Sequence, residues 1–228
     1  MTSKSVGLKP SLYVPFCTVA MASLLGLSGC THTEELNAQT FTAPMNSYLA
    51  KRGDLCLGKN VWPIDVTQHE VDVGARNALQ MPVLEKLGLV TSTVAEIDVN
   101  DEGVLHHMKV RRFALTDTGS KYYLTRDSAA GTAKNPAAHA TQGDFCAAKL
   151  SLDHVVGWEL PKPAEGAARH AVVTYTYRVE AAPWAQNLEV QKVFPVVSGV
   201  VHGAGVAQLK EAFTLTDKGW VAVDLLGS

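Results

Sequence analysis

Residues 170–181, HAVVTYTYRVEA, decide the class of fold. Ala171, Val173, Tyr175, Tyr177 and Val179 alternate with His170, Thr174, Thr176, Arg178 and Glu180. Period-two alternation places apolar side chains on one face of a strand and polar ones on the other. A strand with one dry and one wet face fits an antiparallel sheet. Upstream, Leu150, Leu152, Val156, Trp158 and Leu160 share one parity and predict a second strand. His154 falls on that apolar face and is expected as a core histidine with one hydrogen-bond partner. Downstream, AFTLTDKGWVAVDLL (212–226) predicts a hairpin built on Asp217-Lys218-Gly219.

The first half carries more strand signal. TSTVAEIDV (91–99) and VLHHMKVRRFAL (104–115) flank Asn100-Asp101-Glu102-Gly103, where Asp followed two residues later by Gly fits a tight hairpin turn. GDLCLGKNVWPIDV (53–66) contains Pro63 and reads as an edge strand or extended segment. Three stretches read as helix. PMNSYLAKRG (44–53) opens on Pro44 and stops at Gly53. VGARNALQMPVLEKLG (73–88) is rich in helix formers, and PWAQNLEVQKVFPVVSGVV (183–201) breaks or restarts at Pro195. The class is therefore α+β, with antiparallel strands, hairpins and a few short helices. The loop-like run 128–142 separates two halves, so a single unit and two packed subdomains both stay open.

Composition excludes some functions. The chain has 228 residues, 46% hydrophobic and 18% charged, with net charge -2. There is enough apolar content for a core and no basic excess to attract nucleic acid.

The N-terminus says where the protein resides. Lys4 and Lys9 precede an apolar run, Phe16 to Leu27, too short to span a bilayer. Leu27-Ser28-Gly29-Cys30 follows. It resembles the bacterial lipobox, Leu-[Ser/Ala/Thr]-[Gly/Ala]-Cys, at each of its four positions. The resemblance covers the signal alone. It implies that residues 1–29 are a signal peptide and that Cys30 becomes the lipidated N-terminal residue, carrying diacylglycerol and an N-acyl chain. Several acyl chains hold a protein to a bilayer far more firmly than one. Thr31, in place of the Asp that commonly retains such proteins at the inner membrane, implies the outer membrane of a Gram-negative envelope. Residues 30–43 then read as a lipidated tether and 44–228 as the domain. Without residues 1–29 the formal charge is -4, from 18 basic and 22 acidic residues. The acylated Cys30 makes the bilayer the first partner. A protein or another envelope component is the expected second, and nucleic acid is not expected.

The cysteines sort by elimination after that step. Cys17 leaves with the signal and Cys30 carries lipid. Cys56 and Cys146 remain in an oxidising compartment and are expected to form a disulfide.

No motif assigns chemistry. VLEKLGLVTS…FALTDTGSKYY resembles the helix, wing and Leu-Thr-x-x-Gly segment of winged-helix regulators, over residues 83–123. The resemblance implies a winged-helix-like first half. Export and the low basic charge of the would-be recognition helix oppose DNA binding. Phe-x-Leu-Thr-Asp-x-Gly occurs at 113–119 and again at 213–219, so both copies are expected to form hairpins. Gly-Asp-x-Cys recurs at 53–56 and 143–146. His106 and His107 are adjacent on a strand and point to opposite faces, which suits no single metal. HExxH, GxSxG and GxxxxGK[ST] are absent from the sequence. Asp98, Asp101 and Asp117 are expected in turns. No catalytic, cofactor-binding or metal-ligating residue is assigned. The expected role is a membrane-anchored binding or structural protein of the cell envelope; the alternative is an envelope hydrolase whose catalytic residues converge only in three dimensions.

Overall fold

The computed structural model describes residues 36–101, 103–128, 140–162 and 168–227. The signal segment and Cys30 lie outside them. Leu36–Ser228 form one compact α+β unit. In chain order it contains α1 (Ala38–Arg52), β1 (Asp54–Cys56), β2 (Ile64–Thr67), α2 (Gln68–Asp72) and α3 (Arg76–Lys86). The long hairpin β3 (Val90–Asp101) and β4 (Val104–Leu115) follows, then α4 (Asp117–Ser120), β5 (Tyr123–Ser128), β6 (Ala140–Glu159) and β7 (His170–Ala181). After a 3-10 turn at Pro183–Gln186 come α5 (Leu188–Val193), α6 (Pro195–His202), β8 (Leu209–Thr216) and β9 (Gly219–Ala222).

The large antiparallel sheet runs β1-β6-β7-β8-β9, with β5 also paired to β6; the small one runs β2-β4-β3. β7 behaves as its alternation requires, with Ala171, Val173, Tyr175 and Tyr177 buried. β6 binds the halves together. Its first residues pair with β5, Cys146 to Lys149 pair with β1, and Ala148 to Glu159 pair with β7. It therefore feeds two cores. Phe145 packs with Met81, Leu84, Phe113, Val190 and Phe194. Leu152 packs with Phe41, Met45, Tyr177, Phe213 and Trp220. The run 128–142 is strand at Ser128 and from Ala140 onward, and it joins hairpin partners.

Three local expectations are corrected. Helix α1 starts at Ala38, inside the stretch expected as tether. Asn37 caps it: its Oδ1 accepts from Thr40 N at 3.1 Å, while Thr40 Oγ1 accepts from Asn37 N at 3.2 Å. Pro44 sits in the helix interior, where it forfeits one backbone bond. Phe41, Met45 and Leu49, spaced four apart, all bury against the large sheet, and that packing outweighs the loss.

His154 is not a core residue. The β6–β7 register shifts between Leu152 and His154 and again between Val155 and Gly157. Each bulge inserts an unpaired residue and reverses the facing of those after it. Leu152 stays buried, whereas the His154 side chain is 61% exposed and Val156 is 44% exposed.

The two Phe-x-Leu-Thr-Asp-x-Gly copies fold differently. At 213–219 the expected hairpin forms, with Gly219 at φ +97°. At 113–119 Thr116 instead caps α4, its Oγ1 accepting from Gly119 N at 3.0 Å. Gly119 lies so close to Leu89 O that a Cβ would sit 1.9 Å from it. Tertiary contact with the end of α3 selects the helix there. α3, the β3–β4 hairpin and α4 follow one another in the chain. Of the acids expected in turns, Asp98 lies within β3 and Asp117 in the first turn of α4.

Gly-Asp-x-Cys has a shared purpose: the two copies lie on paired strands, Cys56 opposite Cys146, and the disulfide joins them. Gly53 ends α1, its N–H donating to Leu49 O at 2.9 Å, so Arg52-Gly53-Asp54 is a helix terminus and not a projecting loop.

Candidate functional site

Several histidines meet acids or hydroxyls, and their geometry decides what they can do. His154 Nδ1 lies 2.8 Å from Asp153 Oδ2 and 2.9 Å from Thr176 Oγ1, which is itself 3.0 Å from Asp153. Hydrogen bonds from His154 and Thr176 hold the Asp153 carboxyl below the usual carboxylate range. A hydrolase triad needs the acid on Nδ1 and the hydroxyl on Nε2; here both reach one nitrogen. His107 Nδ1 approaches Asp98 at 2.6 Å on the open hairpin, and both side chains are exposed. His202 Nδ1 lies 2.9 Å from Ser198 O, one turn back in α6. None of these histidines lines either cavity described below. Among the described residues no three His, Cys, Asp or Glu gather where a metal ion could be held.

Glu211, Tyr48 and Tyr175 form a second ionisable group where α1 crosses the sheet. Burial, then the nearby Glu211, pushes the Tyr175 hydroxyl up to about 12. Burial and a hydrogen bond to Glu211 also raise Tyr48. Burial raises the Glu211 carboxyl, with Asp224 adding to the shift. This cluster lines neither cavity and serves to fasten α1 to β7 and β8.

The better site is a groove of about 450 Å³ between α3 and the α5–α6 junction, with β1 as its floor. Leu55, Leu57, Leu79, Val193, Phe194 and Val196 supply apolar walls. Pro195 makes the junction, ending α5 and starting α6. Leu79 and Val196 stay 54% and 68% exposed at the rim, although helix faces of this kind usually bury such residues.

Polar groups converge on the groove. Gln80 is 6% exposed; its Nε2 donates to Val193 O at 2.9 Å, and its buried Oε1, closed off from solvent, has no partner among the described residues. The bond to Val193 O fixes which amide atom is the nitrogen. Arg76 lines the mouth and has no ion-pair partner among the described residues. Behind it Lys59 is buried, its Nζ donating to Asn77 Oδ1 at 2.5 Å. Burial first, and then the Arg76 guanidinium, push the Lys59 ammonium down, with Asp144 opposing. α3 begins at Ala75 without a side-chain cap and without an acid in its first turn. The exposed Arg76 and the start of α3, which has no side-chain cap, are the positive groups at this mouth; Lys59 lies outside the lining.

A second cavity of about 350 Å³ is lined by Asp54, Lys121, Lys149 and Glu180. Its charges are mixed, and Asp54 pairs with Lys149 at 3.1 Å, so it offers no field of one sign. The disulfide lies between the two, Cys56 lining the groove and Cys146 the second cavity.

Of the residues singled out in the sequence, Cys56 and Pro195 line the groove. His106, His107 and His154 lie elsewhere, and Cys30 lies outside the described residues. Compared with protein-family models, curated proteins and solved structures, the chain matches none.

Proposed function

We propose that the protein is a lipid-anchored component of the cell envelope that holds a partner in the groove between α3 and α6. The observation that carries the reading is the groove itself: apolar walls from three separate segments, with the exposed Arg76 guanidinium, unpaired among the described residues, at its edge. Ligand sites commonly combine an apolar cavity of this volume with a few convergent polar groups. The address rests on Leu27-Ser28-Gly29-Cys30, with the outer membrane favoured by Thr31. The acylated Cys30 would hold the domain beside the bilayer, and the tether to the start of α1 is short.

The anchor has a direct test. Cys30→Ser is expected to abolish incorporation of a fatty-acid label and to move the protein out of the lipid-modified membrane pool, as precursor or soluble product. Label retained on the variant at the wild-type level would contradict the anchor.

A further inference from the structure

We infer that the outer edge of β3 pairs antiparallel with the same edge of a second copy, joining two small sheets across a two-fold axis. β3 ends the order β2-β4-β3, and among the described residues it pairs with β4 alone. The backbone groups on its outer side are therefore an open row along a strand of twelve residues. Edges of this kind are normally blunted by Pro, Lys, a bulge or brevity. β3 has none of these: its sequence, VTSTVAEIDVND, lacks Pro, Lys and Arg, and its register with β4 is unbroken. In place of a guard it carries Val94, 80% exposed, more than any other large apolar side chain among the described residues.

The charges of the hairpin choose the occupant. Glu96 and Asp98 share one face of β3 with Val94. Glu96 lies opposite Lys109, and Asp98 Oδ1 meets His107 Nδ1 at 2.6 Å. Each acid has its cation within the hairpin, so the edge does not recruit a basic strand. A newcomer must be apolar or hydroxylic where it meets this edge, and it must keep its own acids away from Glu96 and Asp98. A second β3 meets both conditions. A two-fold axis perpendicular to the sheet preserves the face of every residue, so it passes beside a residue paired with itself. With the axis at Val94, Val94 meets the other copy's Val94, Glu96 meets Ser92, Ala95 meets Thr93 and Ile97 meets Thr91. An axis at Glu96 or Asp98 sets like acids against each other, and one at Ile97 sets Glu96 against Asp98. An axis at Ala95 sets Val94 against Glu96, and axes nearer Val90 shorten the overlap.

The test uses the full-length protein in cells. Val94→Cys is expected to give a disulfide-linked dimer on mild oxidation, above the background that wild type shows from Cys17 and Cys30. Val206→Cys, at a site exposed at 79%, should give none. Co-expressed Thr91→Cys and Ile97→Cys chains should crosslink to each other and neither to itself. Val94→Lys sets like charges face to face and should weaken association of the full chain in detergent at least about tenfold, measured by light scattering. Val94 is exposed, so the fold should survive, as an unchanged circular dichroism spectrum would establish. A wild-type chain that stays monomeric up to millimolar concentration, or a Val94→Cys chain that gives no dimer, would overturn the inference. A dimer indifferent to Val94→Lys would overturn this edge as its interface. Thr91→Cys or Ile97→Cys crosslinking to itself as well as to the other would overturn the antiparallel register. A Val94→Cys adduct to a different protein in place of the dimer would overturn the second copy in favour of a foreign strand.

Discussion

Phe41→Ala is expected to destabilise the domain by about 3–5 kcal/mol, the range for emptying a buried aromatic site. Phe41 is fully buried and its ring lies 5.7 Å from Trp158, 6.2 Å from Phe213 and 5.3 Å from Trp220. It is the point at which α1 enters the second core, so truncation removes apolar area and three aromatic contacts at once. For a domain of this size the melting temperature should fall by roughly 10 °C. Thr42→Ala, one residue on and exposed, is the control and should change little. A loss below about 1 kcal/mol for Phe41→Ala would mean that α1 is not docked and that residues up to 43 serve only as a tether.

Loss of the disulfide should have an effect of similar size. Cys56 and Cys146 are separated by 90 residues in sequence and face one another across β1 and β6. Closing a loop of that length restricts the unfolded chain by about 4.6 kcal/mol in the entropy model. β1 is an edge strand of only three residues, paired on one side to β6 alone, so the disulfide adds a covalent tie to a short ladder. The double variant Cys56→Ala/Cys146→Ala is preferable to serine, because Cys146 is buried and a hydroxyl there would need a new partner. Chemical denaturation should show the variant and the reduced wild type losing the same stability. Oxidised and reduced wild type unfolding at one denaturant concentration would contradict the assignment. Since Cys56 lines the groove, the loss of β1 should also weaken binding there.

Elements written in a local period were legible in the sequence. The alternation of 170–181, the Asp217-Lys218-Gly219 hairpin and the helix break at Pro195 each depend on neighbours within a few residues, and each stands in the structure. The misreadings come from longer-range effects. Two bulges in β6 reverse the facing of His154 and Val156, and nothing nearby in the sequence marks them. Pro44 resembles a helix start, yet the cap is Asn37, with Thr40 in the third position where Glu or Gln is more familiar. Thr116 and Thr216 stand in the same Phe-x-Leu-Thr-Asp-x-Gly motif, and bonds from Thr116 to the Gly88 and Leu89 carbonyls, with the approach of Gly119 to Leu89 O, accompany the helix in the first copy. The groove was not legible, because Leu55, Arg76 and Val193 come from three distant segments. The available clues were Leu79 and Val196, apolar residues on helix faces left uncovered.

The claim that this groove is the working surface is tested most directly by site-specific photocrosslinking in the full-length protein in cells. Benzoylphenylalanine would replace Leu79 or Val196 at the rim, with Val206, exposed at 79%, as the comparison site. The account predicts a discrete adduct from positions 79 and 196, lost when Arg76→Glu is added, and none from 206. An adduct from Val206 with none from the rim, or rim adducts indifferent to Arg76→Glu, would contradict it.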